Sequence, residues 1–471
     1  MSAAPDSQST VAQPKVRQLF GTDGIRGVAG KFPLDTDTVV SIGRALGARI
    51  GAASATPRVM IGMDTRESSS WIARALAAGL GSKGVQVVSA GVITTPGVAF
   101  LTRTQGFDAG IVISASHNPW EDNGIKIFGR DGFKLSDDVE HAIEQDIFAH
   151  IGQSENASID LDGTALPESR RLHSTYVDWL ASNVAHTNLR GLKVLADCAN
   201  GATSALAPEV FAACGISAKF MNCAPDGRNI NANCGALHPE IVARAIETNA
   251  AGDDGFDIGV SFDGDGDRAL FADAAGHVIN GDAVLLLTAR EMQARGSLAA
   301  DTVVATTMSN MGLEAALRRS GINMLRAPVG DKYVLEEMRK SGAMLGGEQS
   351  GHIIFLDGES TTGDGLHTAL RVFQVMAAAK RPLAELVSDL HVFPQIIKNI
   401  RVREKRPFAE LPAVAAAIDA AQRELGDEGR VVVRYSGTEK LARVMVEAAS
   451  DEQMQRMADA IAGAIQKELG V

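Results

Sequence analysis

The sequence predicts an α/β fold with three similar mixed α/β-sheet domains and a smaller C-terminal α+β domain around a central cleft. Two observations predict it. A unit made of a β-rich run, a polar loop, a helix-like stretch and a second strand led by glycine occurs three times. The chain after Pro382 follows a different pattern. Strands that alternate with helices indicate βαβ crossovers and mainly parallel sheets.

Each of the three units ends in a short third strand that runs directly into a loop of unusual composition. The loops are SASHNP at residues 114–119, DGDGDR at residues 263–268 and GEQSGH at residues 347–352. Ligands of open α/β sheets bind beyond the carboxyl ends of the strands. We therefore expect three similar domains to direct these loops toward one cleft.

The segment after Pro382 predicts a fourth, smaller domain. It contains the strand IIKNIRVR, an amphipathic helix near residues 408–425, a strand–loop–strand and a last helix from about Asp451. The predicted divisions are a disordered tail at 1–15 and domains at 16–170, 171–275, 276–388 and 389–471. The fourth domain is predicted to close over a substrate about a linker near residues 393–406.

Composition excludes several classes of function. The 471 residues carry a formal net charge of −12, which argues against a nucleic-acid surface because such a surface needs a basic face. Four cysteines without a C-x-x-C pair indicate reduced thiols in a cytoplasmic protein. The polar N-terminus is not a signal peptide, and no apolar run is long enough to cross a membrane.

The DGDGDR loop predicts a metal site. Asp263, Asp265 and Asp267 alternate with glycines, and in an extended segment this spacing places all three carboxylates on one side. Three adjacent carboxylates repel one another unless a cation lies between them, and oxygen ligands suit Mg²⁺ or Ca²⁺. An EF-hand is excluded because Ala274 stands where its last glutamate would be. Arg268 follows the triplet directly.

The SASHNP loop places the Ser116 hydroxyl at a strand exit. A hydroxyl in this position is a candidate nucleophile or phosphate carrier. A simple chain turn explains the composition equally well. A serine hydrolase is excluded because the G-x-S-x-G elbow is absent from the sequence.

Three further segments are candidate binding loops, although GEQSGH and RYSGTEK are equally compatible with ordinary polar turns. In GEQSGH, Glu348 and Ser350 are two residues apart and suit sugar hydroxyls or an amino group. FGTDGIRG is a weak phosphate-contact candidate through Arg26. The loop RYSGTEK offers hydroxyls and backbone N–H groups that could bind an anion with nearby arginines. Its candidate residues are Arg434, Ser436, Gly437, Thr438 and Arg443.

Together these segments resemble the α-D-phosphohexomutase family, in the family's order and over essentially the whole chain after the tail. The motifs FGTDGIRG, SASHNPWEDNGIK, DCANGA, FDGDGDR and GGEQSGH are closest in wording to a bacterial subgroup that acts on hexosamine phosphates. In phosphomannomutase-type members, methionine usually stands where this sequence has Gln349.

The resemblance implies a role for each candidate residue. Ser116 would carry a phosphate and would bind Mg²⁺ together with Asp263, Asp265 and Asp267. Glu348 and Ser350 would contact the sugar. The residues that would hold the non-reacting phosphate are Arg434, Ser436, Gly437, Thr438 and Arg443. Lys126 and Arg26 would lie near the transferring phosphate, and His352 would be an extra contact. Arg268 is a further catalytic candidate, and Lys126 or His352 would be the general base.

The implied reaction is interconversion of glucosamine 6-phosphate and glucosamine 1-phosphate through a bisphosphorylated sugar. The expected partners are small sugar phosphates and a second copy of the chain in a homodimer, with neither nucleic acid nor membrane. Three alternatives stay open: a mutase for glucose or mannose phosphates, a non-catalytic sugar-phosphate sensor, and a Mg²⁺-dependent phosphatase.

Overall fold

The computed structural model describes residues 19–21, 23–151, 161, 164, 166–249, 255–426, 429–436 and 440–471. The predicted tail at residues 1–15 lies outside this range, as do Gly437 and Thr438. The described chain forms two compact units. One comprises the chain up to residue 173 with residues 226–230, and the other comprises residues 174–225 and 231–471.

The first unit is built on a six-stranded sheet in the order β1-β2-β6-β5-β3-β4. Its strands are β1 (Phe20–Gly21), β2 (Gly24–Val28), β3 (Arg58–Met63), β4 (Gln86–Val92), β5 (Ala109–Ile113) and β6 (Asp122–Gly129). Its helices are α1 (Thr36–Ala53), α2 (Ser69–Gly81), α3 (Thr95–Thr104) and α4 (Asp137–His150). The strand β5, AGIVI, is buried along its whole length, as expected for a strand covered on both faces.

The second unit contains three sheets, and helix α5 (Arg170–Ser182) leads into it. The strands of its first sheet are β7 (Lys193–Asp197), β8 (Ser217–Met221), β9 (Ile258–Phe262), β10 (Ala269–Asp273) and β11 (Val278–Ile279). Those of the next sheet are β12 (Thr302–Thr306), β13 (Asn323–Ala327), β14 (Leu345–Gly347) and β15 (Ile353–Phe355). The accompanying helices are α6 (Thr203–Ala213), α7 (Pro239–Asn249), α8 (Gly281–Ala294), α9 (Met311–Arg319), α10 (Asp331–Ser341), α11 (Gly365–Ala379) and α12 (Leu383–Leu386).

The predicted threefold repeat is confirmed by strand order. The orders β4-β3-β5-β6, β8-β7-β9-β10 and β13-β12-β14-β15 are the same arrangement three times. In each, the first three strands pair in parallel and the fourth returns antiparallel. The parallel strands expected from βαβ crossovers are the first three strands of each arrangement, and the antiparallel fourth strand makes each sheet mixed, as the fold class predicts. The reason is that the chain reverses at each polar loop and forms a hairpin.

The C-terminal segment forms a three-stranded antiparallel sheet in the order β16-β18-β17. Its elements are β16 (Gln395–Arg401), α13 (Pro412–Leu425), β17 (Gly429–Tyr435), β18 (Leu441–Ala448) and α14 (Asp451–Leu469). The strands and helices predicted here are confirmed. The predicted linker at residues 393–406 is wrong for its greater part, because residues 395–401 are a strand paired along its length with β18.

None of the helices in the described ranges combines the length and apolar composition that a membrane crossing requires.

Candidate active site

The Ser116 loop is the hairpin connection between β5 and β6. Ser116 is 2% exposed and has a φ of +52°, in the left-handed region that non-glycine residues rarely adopt. Its backbone N–H donates to Ser114 Oγ at 2.9 Å. The ring nitrogen Nδ1 of His117 lies 3.4 Å from Ser116 Oγ. The loop thus fixes the serine by its backbone, which is the arrangement that a positioned hydroxyl requires.

A buried ion pair between Asp64 and Arg66, at the end of β3, stabilises this loop. Both side chains are fully buried, and they form a direct salt bridge. The Arg66 guanidinium also donates to the carbonyl oxygens of Ser116, at 3.2 Å, and of Asn118, at 2.6 Å. One arginine therefore ties the end of β3 to the backbone of the serine loop. The D-x-R spacing after β3 was the available sequence signal for this support.

We expect Arg66→Ala to lower the free energy of unfolding by about 3–5 kcal/mol, because it leaves the Asp64 carboxylate buried without its cation. Chemical denaturation measures the change. The matched control is Arg49→Ala, which breaks an ion pair with Asp146 on the surface of the same unit. That variant should stay within about 1 kcal/mol of the unsubstituted protein. Equal effects from the two variants would contradict the role given to Arg66.

A cluster of three cations surrounds one carboxylate beside the serine loop. Asp23 contacts Lys126 at 2.9 Å, Arg26 at 2.5 Å and Lys134 at 2.5 Å. Burial acts to raise the pKa of Asp23, but the charges of Lys126, Lys134 and Arg26 outweigh it and hold that pKa well below its usual range. The structure thus brings the predicted Arg26 and Lys126 together. It adds Asp23 and Lys134, which sequence reasoning missed.

Gly124 on β6 lets the cation cluster and the serine loop approach each other. A Cβ atom at Gly124 would lie 2.6 Å from the Ser114 carbonyl oxygen and 3.2 Å from Arg26 Cγ. Any other residue here would push the strand of Arg26 away from the loop. The first unit therefore holds a buried hydroxyl and a group of cations on adjacent strands, a combination that suits an anionic phosphate group.

The DGDGDR loop connects β9 to β10 in the second unit. The residues Asp263, Asp265 and Asp267 are 1%, 1% and 6% exposed. One carboxylate oxygen from each lies within 4.8 Å of the others, so the triplet could hold a metal ion. Gly266, with a φ of +70°, permits the tight turn that brings them together. Three buried carboxylates at this separation need a cation to offset their repulsion, and the all-oxygen donor set fits Mg²⁺ or Ca²⁺.

Arg268 and His352 lie beside the aspartate triplet. Burial acts to lower the pKa of Arg268, but the charges of Asp267, Asp263, Glu348 and Asp265 raise it. The Nε2 atom of His352 lies 3.8 Å from Asp267 and 3.7 Å from Asp331. His352 is buried. Both predicted residues therefore share the environment of the acidic loop.

Backbone hydrogen bonds join the acidic loop to the GEQSGH loop and to the start of α11. The N–H of Ala269 donates to the Gly351 carbonyl at 3.1 Å, and the N–H of Gly365 donates to Gly266 at 2.9 Å. A Cβ at Gly351 would lie 2.9 Å from the carbonyl carbon of Ala269. The two loops are thus fixed at one place in the second unit, although Ala269 and Gly351 are 82 positions apart along the chain.

Glu348 and Ser350 point toward each other, as their spacing predicts. Ser350 Oγ donates to Glu348 Oε2 at 3.3 Å, and the other carboxylate oxygen of Glu348 accepts from the Gly330 N–H at 3.0 Å. Both side chains are half-buried. A carboxylate and a hydroxyl held side by side in partial contact with solvent can bind a sugar hydroxyl or an ammonium group.

Arg434 and Arg443 face each other on β17 and β18. They are directly opposed in the antiparallel register, and both line a cavity of about 430 Å³ together with Asn399. Like charges opposite one another destabilise a sheet, so an anion between them would offset their repulsion. Ser436 follows β17, and its carbonyl accepts from Lys405 Nζ at 2.6 Å. Sequence reasoning missed Lys405.

The three similar sheets each carry a polar hairpin loop at the carboxyl edge of their parallel strands. Together with the basic C-terminal sheet, they define a protein of the phosphohexomutase type. The chain belongs to the phosphoglucomutase/phosphomannomutase family. The family's α/β/α domains I, II and III match residues 17–153, 174–276 and 280–393, and its C-terminal domain matches residues 397–464. The resemblance predicted from the motifs is confirmed.

The chain is similar to relatives along its whole length. It is 62% identical to a phosphoglucosamine mutase from Koribacter versatilis, covering 99% of this chain and 100% of that protein. It is 52% identical to a phosphoglucosamine mutase from Solibacter usitatus, covering 96% of this chain and 99% of that protein. Among solved structures, a phosphoglucomutase/phosphomannomutase family protein from Burkholderia thailandensis matches with a TM-score of 0.77 and 27% identity. The match covers 96% of this chain and 99% of that protein.

Proposed function

We propose that the protein is an isomerase that interconverts glucosamine 6-phosphate and glucosamine 1-phosphate and so feeds synthesis of UDP-N-acetylglucosamine. The observation that carries this proposal is the 62% identity over 99% of the chain to a phosphoglucosamine mutase. The described geometry supports it, because a buried serine beside cations and a buried acidic triplet are the groups that phosphoryl transfer needs.

In the proposed mechanism, Ser116 carries the phosphoryl group. The bond between its Oγ and phosphorus breaks while a free hydroxyl of the sugar phosphate forms a new bond to the same phosphorus. The resulting bisphosphorylated sugar reorients and returns its other phosphoryl group to Ser116. The rigid turn around Ser116 and its burial support this role, since water that reached the phosphoserine would turn a mutase into a phosphatase.

We propose that Asp263, Asp265 and Asp267 hold Mg²⁺, with Ser116 as a further ligand by family resemblance. When bound, Mg²⁺ would neutralise part of the charge on the transferring phosphoryl group. A phosphoserine adds a charge of roughly −1.5 to −2 at neutral pH. Arg26 and Lys126 would offset that charge from the first unit. Arg268 would hold the acidic loop by its charge.

A general base would accept the proton of the attacking hydroxyl, with a contribution of roughly 10²- to 10⁴-fold. The candidates are Lys126 and His352. Asp23 stabilises the positive charge of Lys126, and Asp267 and Asp331 lie near His352. The pH profile of kcat for Lys126→Met and His352→Gln would distinguish them, since loss of the true base removes its ionisation from the profile.

The C-terminal sheet would hold the phosphate that does not react. Arg434 and Arg443 line the cavity, and the proposed clamp also includes Ser436, Gly437 and Thr438. A clamp made of arginines, hydroxyls and backbone N–H groups binds a phosphate regardless of which sugar carbon bears it. Such a clamp suits an intermediate that must bind in two orientations, while Glu348 and Ser350 contact the sugar itself.

We expect Arg434→Ala to raise KM for the sugar phosphate by about 10- to 100-fold with little change in kcat, because it removes a charged hydrogen bond made before and during reaction. Steady-state kinetics measures both constants. The control is Arg456→Ala, which removes an exposed arginine paired with Glu424 in the same C-terminal segment. An unchanged KM for Arg434→Ala would mean that the clamp is misassigned.

Side-by-side kinetics on glucosamine, glucose and mannose 6-phosphates test the proposed substrate. We expect the highest kcat/KM for glucosamine 6-phosphate and no net release of inorganic phosphate. A higher value for glucose or mannose phosphate would overturn the sugar assignment. Stoichiometric release of phosphate would favour a phosphatase, and binding without turnover would favour a sensor.

Four further assignments complete the proposal. The domain divisions are residues 16–170, 171–275, 276–388 and 389–471. The site of action is the cytoplasm, the partners are sugar phosphates without nucleic acid or membrane, and the assembly is a homodimer. Sedimentation of the purified protein tests the last of these, because a single species with the mass of one chain would exclude the dimer.

A further inference from the structure

Two cysteines lie side by side where two parallel strands end. The strands β7 and β8 pair in parallel, with Asp197 opposite Met221. Cys198 is the first residue after β7, and Cys223 is the second after β8. The N–H of Cys198 donates to the Met221 carbonyl at 3.1 Å. The two backbones are therefore neighbours at the ends of these strands, as a disulfide requires.

The two thiols contact each other and differ in exposure. The side chains of Cys198 and Cys223 interact, and Cys223 Sγ donates to the carbonyl oxygen of Ser204 at 3.5 Å. The interaction with the partner thiol raises the pKa of Cys198 well above its usual value and lowers the pKa of Cys223 to about 7. Cys198 is fully buried, whereas Cys223 is half-buried. The sulfur that solvent can reach is therefore also the one with thiolate character at neutral pH.

The other two cysteines lack these properties. Burial raises the pKa of Cys214 to about 11. Burial and the charge of Asp197 raise the pKa of Cys234 to about 12. Thiols that stay protonated react slowly with oxidants, so oxidation should be selective for Cys223.

The turn that begins at Cys198 touches the backbone of the acidic loop. Ala199 and Asn200 have φ values of +52° and +48°, so the turn is tight and strained. The N–H of Ala202 donates to the carbonyl oxygen of Gly264 at 2.8 Å. A Cβ at Gly201 would lie 2.6 Å from Gly264 Cα, which stands between two aspartates of the triplet. A displacement of this turn would therefore move the acidic loop.

We propose that Cys198 and Cys223 form a reversible disulfide whose formation displaces the turn at residues 199–201 and loosens the DGDGDR loop. A sulfur–sulfur bond is about 2.05 Å long, much shorter than any non-bonded contact between two sulfurs, so closing it must draw the two turns together. Since Cys198 is buried in a strained turn, that movement is transmitted to Gly264.

The oxidant we propose is hydrogen peroxide. The thiolate of Cys223 attacks one peroxide oxygen, the O–O bond breaks, and a sulfenic acid and hydroxide form. The sulfur of Cys198 then attacks the Cys223 sulfur, the S–O bond breaks and water leaves with the thiol proton. The two sulfurs lose two electrons in total, and these reduce the peroxide to water. A dithiol reductant reverses the change.

Peptide mapping tests the chemistry without any need for mutase activity, so its failure is distinct from failure of the proposed function. The full-length protein is treated with hydrogen peroxide, alkylated with N-ethylmaleimide and digested without reduction. We expect a linked pair of peptides containing Cys198 and Cys223, alkylated Cys214 and Cys234, and loss of the link after dithiothreitol. Alkylated Cys198 and Cys223, or a link from either to Cys234, would overturn the proposal.

Hydrogen–deuterium exchange of residues 258–268 tests the coupling to the acidic loop. We expect exchange at least about 10-fold faster after peroxide, in line with local loosening of the loop. Cys223→Ser should abolish that response, whereas the control Cys214→Ser should retain it. Unchanged exchange in protein whose disulfide is confirmed by mapping would overturn the switch.

Discussion

Replacing Ser116 by alanine is expected to lower mutase turnover by roughly 10⁴- to 10⁶-fold, the scale on which loss of a covalent nucleophile acts. The reason is that the transferring phosphoryl group has no other carrier in the proposed mechanism. Alanine removes only the hydroxyl and keeps the backbone contacts of the turn, so the fold should persist. A coupled assay for glucosamine 1-phosphate measures the loss, and thermal unfolding verifies the fold.

The control for this experiment is Ser82→Ala, which removes a hydroxyl bonded to the Gly79 carbonyl at the end of α2. That variant should keep full turnover. Intact-protein mass should find one phosphate on the unsubstituted protein, mapped by peptide to Ser116, and none on Ser116→Ala. Substantial mutase activity in Ser116→Ala would remove the carrier hypothesis.

Replacing Asp265 by asparagine is expected to have two opposite effects. It should weaken Mg²⁺ binding by at least about 10-fold, because a neutral oxygen replaces a charged ligand. It should also raise the unfolding temperature of the metal-free protein, because two buried carboxylates repel less than three. Titration calorimetry measures the first effect, and thermal unfolding in a chelator measures the second.

Asp419→Asn is the matched control, since it makes the same charge change at an exposed position on α13. Both its Mg²⁺ affinity and its metal-free unfolding temperature should equal those of the unsubstituted protein. If Asp265→Asn bound Mg²⁺ as tightly as this control, the acidic triplet would not be the metal site. If it destabilised the metal-free protein, the three carboxylates would not be in repulsion.

The sequence predicted the repeated architecture because the information was local. A window of about ten residues is enough to recognise each strand, each second strand that begins at a glycine, and each polar loop. The spacing of Asp263, Asp265 and Asp267 likewise predicted their convergence, since neighbours in a tight loop need no tertiary information to meet. The pairing of Glu348 with Ser350 followed for the same reason.

The sequence could not predict contacts made between distant segments. Asp23 and Lys134 are 111 residues apart, and no local pattern connects them. Arg66 hydrogen-bonds the backbone of Ser116 from 50 residues away. The sequence indicated only that Arg66 lies at the end of a strand. Cys198 and Cys223 are neighbours because β7 and β8 pair in parallel. A search for C-x-x-C spacing does not detect such a pair.

One detail of the sheets was not predicted and one predicted linker was wrong, both for physical reasons. The sheets are mixed because each loop closes a hairpin, and alternating strands and helices do not reveal that return. Residues 395–401 form β16 rather than a linker, because their apolar positions pack on the C-terminal core through Ile396 and Ile400. A hinge between the third and fourth domains would have to lie outside this strand.

The most direct test of the carrier mechanism is a single-turnover transfer experiment. Protein labelled with radioactive phosphate on Ser116 is mixed with one equivalent of unlabelled glucosamine 6-phosphate and quenched at short times. The mechanism predicts that label leaves the Ser116 peptide as it appears in glucosamine 1,6-bisphosphate, with no free phosphate. Label that stays on Ser116 while unlabelled glucosamine 1-phosphate accumulates, or that leaves only as inorganic phosphate, would contradict it.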